Sequence, residues 1–264
     1  MADKKYETIL AEKRGQTVWL WLNRPQVHNA FNAAMIRELA EAFENARTDD
    51  SVRIVILSGV GESFCAGADL NWMREIIRFS YEQNLRESRE LAALLRAIYA
   101  LPKPAIARVN GTVIGGGNGL FSACDLAIAS ERAKFGLSEV KIGLIPAAIS
   151  PYIVKRIGES EARALFLTGE RFDASRALAL GLVNTVVPHD RLDAKVEEVI
   201  RLLLSSGPEA IAKSKELLQR VPGMSLEEAG DYTAKIIAEL RVSPEGQEGM
   251  AAFLEKRKPN WVKD

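Results

Sequence analysis

The 264 residues carry 35 basic and 35 acidic side chains, so the chain is neutral when its two histidines are uncharged. That balance offers no broad electrostatic footprint for nucleic acid or for an acidic membrane surface. A hydrophobic content of 47% is ordinary for a globular protein, and the length admits one large domain or one domain plus a helical appendage.

Thr17-Val18-Trp19-Leu20-Trp21-Leu22 is apolar, β-branched and aromatic, and it reads as a strand that ends at Asn23-Arg24-Pro25. Asn32 is placed to cap a helix from Ala33 to about Arg47, with Met35, Leu39, Ala42, Phe43 and Ala46 along one face. A second strand is predicted over Val52 to Gly59. A polar stretch from Glu75 to Glu90 then feeds a helix through Leu91 to Ala100. Pro102 and Pro104 end that helix and lead into a third strand, Ala105 to Val109. Cys124 to Ala129 is a fourth short apolar run, and Leu182 to Val187 a later strand. Beyond Glu139 the pattern is mostly helical. Pro208 and Pro244 open helices, and Ser225 with Glu228 reads as a capping box. These elements make an α/β core over 1–190 and a helical region over 191–264.

Cys65 and Cys124 are the only cysteines, and both sit among small or apolar neighbours. They read as small buried hydrophobes in a reducing compartment rather than as a disulfide framework. The opening Met1 to Tyr6 lacks the apolar stretch of a signal peptide, and no run of about eighteen apolar residues is present. A soluble, cytoplasmic protein is expected, without a membrane or nucleic-acid partner.

Two glycine-bearing segments carry the chemistry. The first is Phe64-Cys65-Ala66-Gly67-Ala68-Asp69-Leu70. The second is Val109-Asn110-Gly111-Thr112-Val113-Ile114-Gly115-Gly116-Gly117-Asn118-Gly119-Leu120, followed by Phe135-Gly136-Leu137-Ser138-Glu139. Small-residue loops bring backbone N–H groups close to a ligand oxygen, and a nearby carboxylate can move a proton on the adjacent carbon. The pattern suits chemistry through a thioester enolate. His28 and His189 are the only histidines, so a metal site or a Ser-His-Asp triad is not expected.

With Leu22-Asn23-Arg24-Pro25-Gln26-Val27-His28-Asn29-Ala30, Leu167-Thr168-Gly169-Glu170 and Phe253-Leu254-Glu255-Lys256-Arg257, these segments resemble the crotonase superfamily, the enoyl-CoA hydratase/isomerase enzymes. The resemblance covers essentially the whole chain. It implies a spiral of ββα units with C-terminal helices that mediate trimerisation, commonly into dimers of trimers. It also implies a coenzyme A thioester as substrate and no separate cofactor or metal. By the same resemblance, the oxyanion hole falls on the N–H groups of Ala68 and Gly116, and the proton-transfer group is Glu139. The coenzyme A contacts fall on Gln26, His28, Ala30, Ala66, Asp69 and Leu70, with Phe253 and Lys256 near the end of the chain. Asp69 and Asp125 also read as helix or turn caps, and Lys256 as a solvated helix end.

Two departures from the family pattern stand out. Two-carboxylate hydratases carry a glutamate where this chain has Gly119, while the second carboxylate is kept as Glu139. The glycine run that follows in many hydratases is replaced by Ile145-Pro146-Ala147-Ala148-Ile149-Ser150-Pro151-Tyr152, a stiffer segment. Both features resemble a bacterial methylglutaconyl-CoA hydratase-like subgroup, associated with breakdown of leucine or branched isoprenoid acids. The expected activity is hydration of a 2-enoyl-CoA thioester. The alternatives are a Δ3,Δ2-enoyl-CoA isomerase that works with the single glutamate, thioester decarboxylation, and a catalytically degenerate acyl-CoA-binding subunit.

Overall fold

A computed structural model describes residues 5–263; Met1–Lys4, on which most of the reading of the chain's start rests, lie outside the described residues. Two compact units are present. Among the described residues, the first comprises 5–101 with Ala105–Val196, and the second Pro102–Pro104 with 197–263.

The first unit holds two sheets. The larger has six strands in the order β1 (Ile9–Arg14), β2 (Thr17–Leu22), β3 (Ile54–Gly59), β5 (Ala105–Val109), β7 (Leu126–Ser130) and β10 (Thr185–Val187). β1 and β2 pair antiparallel, and every other neighbour in this sheet is parallel. The smaller sheet runs β4 (Ser63–Cys65), β6 (Thr112–Ile114), β8 (Lys134–Gly136) and β9 (Arg171–Asp173). Each of β3, β5 and β7 is followed by a short strand that enters the second sheet. Helices come next: α1 (Ala33–Thr48) precedes β3, while α2 (Leu70–Ile76) and α3 (Tyr81–Tyr99) follow β4. α4 (Gly117–Ser122) follows β6, and α5 (Ser150–Thr168) and α6 (Ala174–Ala179) flank β9. Repetition of strand, strand, helix across the two sheets is the expected spiral of ββα units.

β3 is buried along its full length, as a central parallel strand covered on both faces should be. Met35, Leu39, Ala42, Phe43 and Ala46 form the buried face of α1, and Asn32 caps it through Met35 N–H at 3.0 Å. A run of rings ties the repeats together. Phe64 meets Phe121 at 6.3 Å between centroids, Phe121 meets Phe135 at 5.7 Å, and Phe135 stacks on Phe172 at 5.6 Å.

Several boundaries differ from those predicted. The polar stretch before Leu91 is itself helical, because Ser80 and Gln83 make a reciprocal capping box that starts α3 at Tyr81. β3 begins at Ile54 rather than Val52, and β10 covers only the end of the predicted Leu182–Val187 strand. The smaller sheet was not predicted at all, since strands of three residues show no period.

In the second unit, α7 (Leu192–Leu204), which begins in the first, leads to α8 (Pro208–Arg220), α9 (Leu226–Val242) and α10 (Pro244–Leu254). The Glu245 carboxylate accepts from the N–H groups of Glu209 and Ala210 at 2.9 and 2.8 Å, closing the start of α8. Leu226, Val242, Phe253 and Leu254 are more than three-quarters exposed on this unit. No helix among the described residues is long and apolar enough to cross a membrane.

Candidate active site

Two loops of distant sequence are stitched together on the first unit. Arg24 to Phe31 contains a 3₁₀ turn, Pro25–Val27, and two left-handed residues, His28 and Asn29. The buried Asn29 side chain accepts from Arg24 N–H and donates to the carbonyls of Val60 and Ser63. These bonds hold a conformation that an asparagine tolerates better than most residues. Ala66 N–H donates to His28 O at 3.0 Å, Phe31 N–H to Gly67 O at 2.8 Å, and Asp69 N–H to Phe31 O at 2.9 Å. The last two bonds form an isolated parallel bridge between Phe31 and Ala68. Extended backbone alternates its N–H directions, so Ala68 N–H faces away from Phe31.

Gly116 stands just before α4. A Cβ on Gly116 would lie 2.6 Å from Phe31 Cζ, so only glycine lets that ring and this backbone meet. No acceptor among the described residues takes the N–H of Ala68 or of Gly116. Both residues are half-exposed. α4 is under two turns long, so donor orientation rather than a long macrodipole is what it supplies.

Glu139 opens the 3₁₀ turn Glu139–Ile142 that follows β8. Its Oε1 lies 3.3 Å from where a Cβ on Gly115 would stand. Oε2 is buried and has no hydrogen-bond partner among the described residues. Burial raises the Glu139 pKa, and its own backbone N–H offsets this only in part. An exposed surface carboxylate would do neither. Ala68, Phe31, Gly116, Gly115 and Glu139 therefore form one continuous series of contacts, with two free donors and a desolvated base.

The residues assigned to coenzyme A divide into two groups. Gln26, His28, Ala30, Ala66, Asp69 and Leu70 lie together on the stitched loops; Gln26, His28 and Leu70 are exposed, and Ala30 is buried. His28 Nδ1 is 3.0 Å from Ser63 Oγ. The Asp69 carboxylate caps α2, accepting from Asn71 N–H at 2.7 Å, and it pairs with Arg24 at 2.7 Å. Phe253 and Lys256 belong to the second unit, where both are exposed. Asp125 is a structural acceptor, as its capping reading implied, taking Ala105 N–H at 2.7 Å.

Ile149 packs against Gly119, the position at which the family pattern carries its first carboxylate. A Cβ on Gly119 would run into Ile149 Cγ2, lie 2.9 Å from Ile149 Cβ and touch Leu95 Cδ1 at 3.3 Å. The two departures noted in the sequence are thus a single feature in space.

The sequence profile described as enoyl-CoA hydratase/isomerase matches residues 13–264. The chain belongs to the enoyl-CoA hydratase/isomerase family. Within this crotonase superfamily, an enoyl-CoA hydratase from Shewanella pealeana of known structure is 43% identical. That pair superposes with a TM-score of 0.95 over 98% of this chain and 97% of the other. A crotonyl-CoA hydratase of Syntrophomonas wolfei is 35% identical over 97% of this chain and 98% of its own length. Phe31 and Leu95 are positions of this crotonase-type site that motif reading missed. Phe31 just before the Asn32 cap reads from sequence as an ordinary hydrophobic staple, and nothing local announces that its ring meets Gly116.

Proposed function

We propose that this family member adds water to a 2-enoyl-CoA thioester through an enolate whose oxygen is held by Ala68 and Gly116. The observation that carries this reading is the pair of unpartnered N–H groups joined through Phe31 and Gly115 to the buried Glu139 carboxylate. The thioester carbonyl oxygen accepts both hydrogen bonds as negative charge moves onto it, and in comparable sites one such donor is worth about 3 kcal/mol. Glu139 takes a proton from the water that attacks C3 and returns one to C2. The upward shift that burial gives its pKa suits that task, because it makes the carboxylate a stronger proton acceptor than an exposed one. The thioester's coenzyme A portion is bound along Gln26, His28, Ala30, Ala66, Asp69 and Leu70, and no separate cofactor is required. Phe253 and Lys256 are assigned to the coenzyme A phosphate of a neighbouring copy.

A branched, methylglutaconyl-like acyl group is the proposed substrate class, on the strength of Gly119 and the Ile145 to Tyr152 segment. Exposed Leu226, Val242, Phe253 and Leu254 support burial against other copies in a trimer or dimer of trimers. The buried, unbridged thiols of Cys65 and Cys124 fit a cytoplasmic setting.

The apolar filling at Gly119 favours a second reading, in which Glu139 shuttles one proton and moves a double bond from C3 to C2. Incubation with straight, branched and carboxylated 2-enoyl- and 3-enoyl-CoA thioesters, followed by mass spectrometry, separates the two. Gain of one water by a 2-enoyl substrate supports the hydratase. Conversion of a 3-enoyl thioester at constant mass, without water gain, replaces it with the isomerase. Turnover that survives Glu139→Gln would remove the assigned proton-transfer group under either reading.

A further inference from the structure

We propose that Gly119 and Ile149 work as one interlocked pair, in which the Ile149 side chain plugs the volume that a second carboxylate would need and leaves Glu139 to carry the proton traffic alone. This rests on the reading of Glu139 as the proton-transfer group. Gly119 comes four residues after Gly115, and the bonds from Asn118 N–H to Gly115 O (2.9 Å) and from Gly119 N–H to Gly116 O (3.0 Å) wrap the chain through one turn. These bonds span three residues, as in a 3₁₀ turn, and Gly115 itself is left-handed (φ 52°), so the two glycines are neighbours along one tight turn. Glu139 lies beside Gly115, and Ile149 lies beside Gly119.

Ile149 does not yield easily. It is 2% exposed, with Leu95 fully buried at the same spot. It sits at the entrance to α5, its carbonyl accepting from Tyr152 and Ile153 N–H, and Pro151 follows in the first turn. A β-branched side chain there has few rotamers to retreat into. A glutamate at position 119 would meet this side chain at its first carbon, and its carboxylate would start its path among Ile149 and Leu95. Both effects disfavour it. With the plug in place, the space beside Gly119 is aliphatic where a two-carboxylate enzyme would hold a second acid.

The test is a mutational cycle on the full-length protein: Gly119→Ala, Gly119→Glu, Ile149→Ala, and the two double variants. Thermal midpoints and the pH profile of kcat/KM are both measured. The expected result is that either change at Gly119 lowers the midpoint by several degrees. Ile149→Ala in the same chain should return most of that loss, so that each double variant melts well above the sum of its parts. Gly119→Glu/Ile149→Ala should also gain a second ionisation in its pH profile, absent from the parent. Should Gly119→Glu give no folded protein, the Gly119→Ala cycle alone decides. Strictly additive midpoints, or a Gly119→Glu variant that melts like the parent, would overturn the interlock. The melting cycle reads independently of turnover, so an active Glu139→Gln variant would refute the catalytic reading without touching the interlock.

Discussion

The ring of Phe31 lies on the backbone of Gly116, with Cζ 2.6 Å from the point where a Cβ would begin, while Phe31's own backbone bridges Ala68. One residue thus bears on both candidate oxyanion donors, through its ring on Gly116 and its backbone on Ala68. Phe31→Ala should cost about 3 kcal/mol or more of stability through the cavity it leaves. It should also lower kcat more than it raises KM, because the Gly116 donor loses the ring packed against it. Phe31→Leu should recover most of both. Steady-state kinetics beside thermal melts check this, and a loss confined to stability would limit Phe31 to packing. Gly116→Ala should be worse still, since its new methyl would displace the ring.

Glu139 should trade stability for activity. Its folded pKa is raised by burial, so the folded protein binds more protons than the unfolded chain between the ordinary carboxylate pKa and the raised one. Stability therefore falls as pH rises through that window, and the full penalty is present above it. Glu139→Gln should melt higher than the parent at neutral pH, and the gain should vanish in acid below the ordinary carboxylate range. Turnover of the parent should fall on its acid side at a pH above that range. Melting curves from pH 4 to pH 8 test the sign directly.

Asp69 should show the opposite dependence. Burial pushes its pKa up, but the N–H of Asn71, the Arg24 guanidinium and the N–H of Trp72 outweigh burial, and the net shift is downward. Its contribution is present above the unfolded carboxylate pKa and is lost as pH falls through the lower folded value. Asp69→Ala removes a helix cap and strands a largely buried guanidinium, which should cost about 3 kcal/mol. Urea unfolding at neutral pH should show that loss, and it should shrink on acidification.

Arg156 closes the far end of α4. Its guanidinium donates to the carbonyls of Ser122 and Cys124 at 3.0 and 2.6 Å, and to Leu182 O at 3.3 Å. A positive group at the carbonyl end of so short a helix both satisfies orphan acceptors and complements their partial charge. Arg156→Met should destabilise the protein by about 2 kcal/mol, with each stranded carbonyl contributing. Arg156→Lys should recover only part, because an ammonium cannot span the same set of acceptors. Chemical denaturation of the three proteins measures the order.

Thiol reagents should leave the folded protein untouched. Burial pushes the Cys65 thiol up to about 12, so almost no thiolate exists near neutrality, and Cys124 is buried as well. Titration with a chromogenic disulfide should register two thiols only after denaturation. Rapid reaction in the native state would contradict the buried placement.

Sequence patterns exposed the long elements and the motif positions, for physical reasons that differ. The apolar run of β2 and the one-sided face of α1 persist over enough residues to carry a period, and Asn32 announces its helix by side-chain chemistry. Glu139 and the glycines were legible because a carboxylate and missing side chains are chemically distinctive. The smaller sheet was not legible, since its three-residue strands are specified by partners far along the chain. The contact of Ile149 with Gly119 was equally hidden. Both positions were visible as departures from the family pattern, yet nothing in a linear string says that one residue fills the space the other vacated.

That contact also bears on how such enzymes diverge. If residues 119 and 149 are viable only in matched combinations, the path between one-carboxylate and two-carboxylate forms crosses an intermediate that is either clashed or hollow. Lineages carrying the glycine–isoleucine pairing would then be held there by the unfit single step, and reaction type would be inherited as a linked pair of sites rather than as one catalytic residue.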